Sequence, residues 1–175
     1  MRKIYKDPHL TATLDVDNKV VYFWRGQFSQ WWRSPIYDDK HKVNFNTAEQ
    51  GMMYYKAILF DDKETAAKIL EAKSPRDQKD LGRLVKGYNE EKWLNNRINI
   101  VTYINYMKFS QDDTLHSLIV SLKDWEFVEA SPMDKIWGIG LAEDNEDIFD
   151  VTKWQGLNLL GQCIKNAQRL IIKQL

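Results

Sequence analysis

The sequence is poor in cysteine, proline and glycine, with one Cys, four Pro and eight Gly among 175 residues. The lone Cys163 excludes an internal disulfide and is typical of proteins in a reducing compartment. No segment approaches ~18 consecutive apolar residues, and the first residues lack the apolar run of a signal peptide. These absences predict a cytoplasmic protein that has no membrane partner.

Neither sign of charge is in excess, because 25 Lys and Arg balance 25 Asp and Glu. The whole chain therefore creates no field that would attract nucleic acid, although a local basic patch would not change the net charge. Hydrophobic residues make up 43% and charged residues 29%, which indicates a globular domain with a sizeable core. Seven Trp and eight Tyr suit either that core or a pocket that stacks rings.

Several standard catalytic sites are missing. His9, His41 and His116 are not spaced as metal ligands, and with a single cysteine the sequence predicts no metal site. There is no Walker A loop and no Gly-x-Ser-x-Gly elbow. Gly138-Ile-Gly140 lacks the third glycine and the βαβ context of a dinucleotide-binding loop. We therefore expect no cofactor.

Hydrophobic periodicity predicts extended structure in residues 1–45 and mostly helices after that. Strands are predicted at 19–24, 42–46 and 125–130, with an aromatic-rich loop at 28–35. Helices, with ends set by capping residues and prolines, are predicted at 46–60, 61 or 62 to 73, 75–87, 90–108, 113–122 and 157–174. The pattern predicts a mainly α, multihelical single domain with a small β element from the N-terminal third.

The first predicted helix carries an unusual stripe of side chains. Glu49, Met52, Met53 and Lys56 follow one another at i, i+3, i+4 and i+7, so they share one face. We interpret this face as supplying an acid/base and an amine nucleophile to a pocket. Two other interpretations stay open: Glu49 could complete a capping box with Asn46, and Lys56 could extend its amine to water.

The loop at 131–140 contains one proline and two glycines and is predicted to have a defined shape. Within it, Asp134 could bind ribose hydroxyls or direct water, or it could make an Asx contact that stabilises the loop. Trp137 in this loop and Trp93 on the fourth predicted helix fit either the core or stacking on a base or sugar. Arg83 is a candidate for binding phosphate, with a surface ion pair as the alternative.

Three segments, together with their spacing, resemble the NADAR (YbiA-like) family. They are Thr47-Ala-Glu-Gln-Gly-Met-Met-Tyr-Tyr-Lys-Ala57, Glu129-Ala-Ser-Pro-Met-Asp-Lys-Ile-Trp-Gly-Ile-Gly-Leu141 and Trp154-Gln-Gly-Leu-Asn-Leu-Leu-Gly161. The resemblance covers about residues 22–170, so it predicts a family domain at 22–175 that follows an N-terminal extension at 1–21. It implies the mainly α-helical fold of a group of N-glycosidases.

Members of this family are described as cleaving the bond between a ribose and an exocyclic amino nitrogen. One branch acts on phosphoribosylamino-pyrimidine intermediates of riboflavin synthesis. Another removes ADP-ribose from guanine in DNA, including as an antitoxin beside an ADP-ribosyltransferase toxin. The resemblance therefore implies a ribosylated small molecule or ADP-ribosylated guanine in nucleic acid as the substrate. It leaves a toxin–antitoxin partner and the oligomeric state open.

By motif position, the resemblance implies a catalytic and a substrate-binding set of residues. The catalytic set is Glu49, Lys56 and Asp134, and the substrate-binding set is Trp93, Trp137, Gly138, Arg83 and Asn158. Lys56 would exchange onto ribose C1 as a Schiff base while Glu49 shuttles protons. Two alternatives stay open: Glu49 or Asp134 activates water directly, or the chain is a non-catalytic module that binds ADP-ribose or a related nucleotide.

The sequence departs from the family pattern at Gln30, where Asn is common, and at Gly51, where a larger and often aromatic residue is usual. A glycine inside a helix costs roughly 1 kcal/mol relative to Ala. We therefore expect that the space beside Gly51 is needed, or that another aromatic residue such as Trp32 fills it. Both changes bear on the choice of substrate rather than on the reaction class.

Overall fold

The six predicted helices and the three predicted strands all occur, in the predicted order, and three further strands lie in the N-terminal third. The structure, a computed structural model, describes residues 3–7 and 9–175. Its α-helices are α1 (Ala48–Leu59), α2 (Lys63–Glu71), α3 (Pro75–Arg83), α4 (Glu90–Gln111), α5 (Asp113–Ser121) and α6 (Leu159–Ile172). Its β-strands are β1 (Ile4–Asp7), β2 (Ala12–Asp15), β3 (Val20–Phe23), β4 (Arg33–Asp38), β5 (Val43–Thr47) and β6 (Glu126–Glu129). The predicted mainly α fold with a small β element is therefore confirmed.

Four of these helices begin after a residue whose side chain accepts a hydrogen bond from a backbone N–H that the helix itself leaves without a partner. These N-cap residues are Thr47 for α1, Asp62 for α2, Ser74 for α3 and Asn89 for α4. Because capping residues are visible in a sequence, these starts could be predicted closely. Among the described residues, every helix is too short or too polar to traverse a lipid bilayer.

The described residues divide into two units by their internal contacts. The first unit, drawn from residues 1–32 and 117–175, contains a four-stranded sheet in the order β1-β2-β3-β6. β1, β2 and β3 pair antiparallel, whereas β6 runs parallel to β3, and α6 packs on β6. β1 and β2 fall within the predicted N-terminal extension, and β2 pairs with β3 of the predicted domain. The boundary between extension and domain stays a prediction.

The start of α6 differs from the predicted one. The helix begins at Leu159, because Asn158 has a φ of +52° and lies in the left-handed region outside the helix. Leu157, which was predicted to be the first residue of this helix, consequently lies outside it and is 57% exposed. Two short 3-10 helices at Glu146–Phe149 and Val151–Lys153 also lie outside the predicted elements.

The second unit, residues 33–116, contains the antiparallel pair of β4 and β5 and the helices α1 to α4. β4 begins at Arg33, inside the segment 28–35 that was predicted to be a loop. Ser34 and Ile36 alternate with exposed residues, which is the period of two expected of a strand that has one buried face. α1 packs against α2, α3 and α4, so residues 48–54 are buried without interruption.

The space beside Gly51 is filled by aliphatic and aromatic neighbours of the second unit. A Cβ atom on Gly51 would lie 2.8 Å from Ile104 Cδ1 and 3.2 Å from Phe45 Cδ2. Ile104 and Phe45, rather than Trp32, therefore occupy the volume that a larger residue takes in the family. The glycine allows α1 to approach α4 closely, which offsets its cost inside a helix.

The side chain of Gln50 links the start of α1 to the end of α2. Its Oε1 accepts from the Asn46 N–H at 2.7 Å, and its Nε2 donates to the carbonyl oxygens of Ile69, Leu70 and Ala72 at 2.8, 3.1 and 3.2 Å. These carbonyls lie at the C-terminal end of α2, where no backbone N–H of the same helix remains to donate to them. We predict that Gln50→Ala lowers the free energy of unfolding by about 3 kcal/mol, because it leaves buried polar groups unsatisfied on both sides.

Urea unfolding of the Gln50→Ala variant measures this loss. Gln162→Ala is the matched control, because the Gln162 Nε2 also donates to a carbonyl oxygen, that of Leu157 at 3.0 Å, but in an exposed position. We expect the control to change the free energy of unfolding by no more than about 0.5 kcal/mol. An equal loss in the two variants would contradict the argument from burial.

Candidate active site

The backbone N–H groups at the start of α1 are capped by Thr47 and Gln50. The Asn46 N–H, which a capping box would direct to Glu49, donates to Gln50 Oε1 at 2.7 Å. Thr47 Oγ1 accepts from the Gln50 N–H at 3.1 Å and donates to Gln78 Oε1 at 2.7 Å. The capping interpretation of Glu49 is therefore wrong. Glu49 itself is buried.

The Lys56 amine is held within the second unit. Its Nζ donates to the carbonyl oxygen of Gly82 at 2.8 Å, at the C-terminal end of α3, and the residue is only partly exposed. The ring centroids of Tyr88 and Trp93 lie 4.9 and 5.6 Å from Nζ, within the range of a cation–π contact. This geometry does not fit an amine that extends into water.

The surroundings of Lys56 act on its pKa in both directions. Burial lowers the pKa of the Lys56 amine and the positive charge of Arg83 lowers it further, while the charge of Glu49 raises it. A lower pKa increases the fraction of neutral amine near neutral pH, and only the neutral amine is a nucleophile. The Gly82 carbonyl and the two rings hold the protonated form in place. The amine therefore becomes reactive once it releases one proton.

Tyr88 is a candidate that the sequence analysis missed. It is the single residue between Gly87, which has a φ of +69°, and Asn89, the N-cap of α4. Tyr88 is 48% exposed, whereas Trp93 in the first turn of α4 is only 8% exposed. The signal in the sequence is a large aromatic residue in a two-helix connection, where small polar residues are the usual choice.

Arg83 forms the surface ion pair that was the alternative to phosphate binding. Its Nη1 lies 3.0 Å from Asp80 Oδ1, and both side chains are exposed. Such a pair contributes little to stability. Because Arg83 directly follows Gly82, whose carbonyl holds Lys56, its charge still lowers the pKa of that amine. Binding of a phosphate by Arg83 stays a prediction.

Asp134 makes the Asx contact within the loop of the first unit. Its Oδ1 accepts from the backbone N–H groups of Ile136 at 2.9 Å and Trp137 at 2.8 Å. The second oxygen, Oδ2, accepts no hydrogen bond within the part of the chain that the structure describes. One side of the carboxylate therefore shapes the loop. The predicted contact of Asp134 with sugar hydroxyls or water would be made by Oδ2, and it stays a prediction.

Packing within the first unit explains Gly138 and Asn158. A Cβ atom on Gly138 would lie 2.9 Å from the Glu129 carbonyl oxygen and 3.0 Å from that of Asp134, so a larger residue would clash. Asn158 is buried, where its Oδ1 accepts from the Glu129 N–H at 3.0 Å and its Nδ2 donates to the Phe127 carbonyl at 2.9 Å. Its amide thus takes the place of a strand partner for β6. Substrate contacts of both residues stay predictions.

The predicted site residues fall into one group in each unit. The second unit holds Glu49, Lys56, Arg83 and Trp93, and the first holds Asp134, Trp137, Gly138 and Asn158. The structure brings Lys56 into contact with Trp93 and within electrostatic range of Glu49 and Arg83. In residues 3–7 and 9–175, no three His, Cys, Asp or Glu side chains are arranged to hold a metal ion.

Known proteins resemble the chain over most of its length. The NADAR domain family model matches residues 22–171. An N-glycosidase of Acanthamoeba polyphaga mimivirus is 38% identical over 140 residues, which span 78% of this chain and 82% of the viral protein. Protein irg-1 of Caenorhabditis elegans is 34% identical over 72% of this chain and 60% of its own length. A riboflavin biosynthesis protein of Vibrio vulnificus is 25% identical over 72% of this chain and 34% of its own length.

A solved structure shares the fold. The NMR structure of the Escherichia coli protein YbiA matches with a TM-score of 0.72 and covers 90% of this chain and 87% of YbiA. Sequence identity is 20%, so this similarity concerns the fold alone. The YbiA-like fold predicted from the sequence is confirmed.

Proposed function

Because the chain belongs to the NADAR family, we propose that it is a hydrolase of N-glycosyl bonds that cleaves between a ribose and an amino nitrogen of a base. The observation that carries this proposal is the Lys56 amine, held against two aromatic rings with a lowered pKa on the same helix as the buried Glu49. An acid/base and an amine of this kind suit the chemistry of a glycosylamine. The mimivirus relative, an N-glycosidase, supports the reaction class.

The residues of α1 suggest a covalent route. The ribose ring of a glycosylamine opens to an imine, and the neutral Lys56 amine adds to C1 of this imine. The bond between C1 and the amino nitrogen then breaks, and the base leaves with a proton. Water hydrolyses the remaining Schiff base, which yields the free sugar and regenerates the amine. Glu49 supplies and collects the protons, and no step requires an oxidant or a reductant.

We propose a ribosylated pyrimidine, rather than ADP-ribosylated guanine in DNA, as the substrate class. One relative is a riboflavin biosynthesis protein, at 25% identity. The 25 basic residues of the chain are matched by 25 acidic ones, whereas proteins that follow duplex DNA usually carry excess positive charge. A toxin–antitoxin partner is expected only with the DNA substrate.

Release of free base tests the reaction and its substrate together. The protein is incubated with a phosphoribosylamino-pyrimidine and, separately, with an oligonucleotide that carries ADP-ribosylated guanine, and products are measured by mass spectrometry. We expect release from the pyrimidine. Release from the oligonucleotide alone would overturn the substrate class and retain the reaction. Binding of ADP-ribose without release from either compound would identify a non-catalytic binding module instead.

Glu49→Gln tests the acid/base role on α1. The amide keeps the size of the side chain but cannot exchange a proton, so we expect kcat for base release to fall by about 10²- to 10⁴-fold. Glu64→Gln is the matched control, because Glu64 lies on the exposed side of α2, where it pairs with Lys68 and Lys86. Full activity of Glu49→Gln would refute the role of Glu49.

A further inference from the structure

We propose that Tyr88 contacts the substrate and that its ring stacks on the base to which the ribose is attached. The inference rests on the proposed function of Lys56, because it places the base beside that amine. Tyr88 lies outside the three segments that resemble the family, so nothing in those motifs assigns it a role. It would be a specificity-determining residue, since its ring meets the part of the substrate that differs between the two candidate classes.

The position of the Tyr88 ring relative to the Lys56 amine is the first argument. The ring centroid lies 4.9 Å from Nζ, closer than the 5.6 Å of Trp93. In the proposed reaction Nζ bonds to ribose C1, and the base ring begins two covalent bonds from that carbon. Stacked rings have centroids about 4.5–7 Å apart. A base attached to the carbon that Lys56 attacks can therefore reach the face of Tyr88.

The exposure of the two rings is the second argument. A ring can stack on a ligand only through a face that the protein leaves uncovered. Trp93, for which the sequence left both the core and stacking open, is 8% exposed, so its surface is already covered almost completely. Tyr88 is 48% exposed and therefore offers the open aromatic surface beside the amine.

The support of the Tyr88 ring is the third argument. The Phe60 ring packs against it with centroids 5.3 Å apart and planes inclined by 56°. The residue before Tyr88, Gly87, forms a turn with φ +69°. The residue after it, Asn89, caps α4, because its Oδ1 accepts from the Lys92 N–H at 2.8 Å. An aromatic ring that is already packed against a neighbouring ring, on a backbone held by a turn and a helix cap, loses little conformational freedom when a base stacks on it.

Equilibrium binding of two bases that the proposed reaction cannot cleave tests this assignment. The probes are 5,6-diaminouracil, which has no ribose, and guanosine 5′-monophosphate, whose ribose is bound to a ring nitrogen. Isothermal titration gives Kd for the wild type, Tyr88→Phe and Tyr88→Leu. We expect Tyr88→Leu to weaken binding of the preferred base roughly tenfold or more, and Tyr88→Phe to stay within about threefold of the wild type.

Tyr37→Leu is the matched control, because Tyr37 is an exposed tyrosine of the same unit, on β4, and should leave Kd unchanged. An unchanged Kd in Tyr88→Leu, or no binding of either base by the wild type, would overturn the assignment even if base release occurs. Loss of binding in Tyr88→Leu with no turnover of any substrate would uphold the base-binding surface and overturn the proposed reaction. If Tyr88→Leu does not fold, Tyr88→Gln serves in its place.

Discussion

Lys56→Ala is expected to abolish base release and to eliminate the covalent adduct that borohydride traps between the wild-type protein and its substrate. Without the amine no bond forms to ribose C1, so we expect the rate to fall on the order of 10³-fold or more. Intact-mass measurement detects the adduct as a mass increase equal to the reduced sugar. Lys68→Ala is the matched control, because this exposed lysine of the same unit pairs with Glu64 at 2.7 Å.

Lys56→Arg separates the nucleophile from its charge. An arginine keeps the positive charge and can still donate to the Gly82 carbonyl, but it does not lose its proton in proteins. We expect this variant to be as inactive as Lys56→Ala. Turnover by Lys56→Arg, or turnover by the wild type without a trapped adduct, would remove Lys56 as the nucleophile. Direct activation of water by Glu49 or Asp134 would then be favoured.

The pH dependence of adduct formation gives a second measurement on the same amine. An ordinary lysine has a pKa of about 10.4, and burial together with the charge of Arg83 lowers the pKa of Lys56. Since only the neutral amine attacks, the rate should rise with pH and level off at a lower pH than an ordinary lysine would give. A rising limb centred at or above the ordinary value would contradict the lowered pKa.

The helices of the second unit could be predicted because their ends depend on neighbours in the sequence. Asp62, Ser74 and Asn89 each accept from a backbone N–H three residues later, so the residue type alone marks the start of the helix. β4 was missed for the opposite reason. Its residues become a strand only by pairing with β5, and Pro35 in its middle is a signal against a strand.

The functional residues could be predicted only in part, because their contacts join distant parts of the chain. Glu49 and Gln50 are adjacent, and the sequence does not show which of the two accepts from the Asn46 N–H. In the structure the acceptor is Gln50, whose amide also donates to carbonyl oxygens at the end of α2. Tyr88 follows α3 in the chain, and it contacts Lys56 of α1 only because α1 packs against α3. The motif identified the catalytic candidates, and tertiary packing decides what surrounds them.

Lys108 on α4 links the stability of the fold to pH. Its side chain is fully buried with Nζ 5.1 Å from the Phe109 ring centroid, and burial lowers its pKa to about 7. In the unfolded chain a lysine has a pKa of about 10.4. Between these two values the unfolded state binds a proton that the folded state does not, so the free energy of unfolding rises with pH across this window. Below the lower value both states are protonated, and the cost of burying the charge applies in full.

Lys108→Met should remove this contribution to the pH dependence. A difference of one bound proton corresponds to about 1.4 kcal/mol per pH unit. The free energy of unfolding of the wild type should therefore increase relative to that of Lys108→Met by up to this amount per unit between about pH 7 and pH 10. Urea unfolding at several pH values in this range measures the difference. Lys63→Met changes the net charge equally at a side chain that is 85% exposed, so it is the control. A constant difference between the wild type and Lys108→Met would show that buried Lys108 keeps its proton throughout.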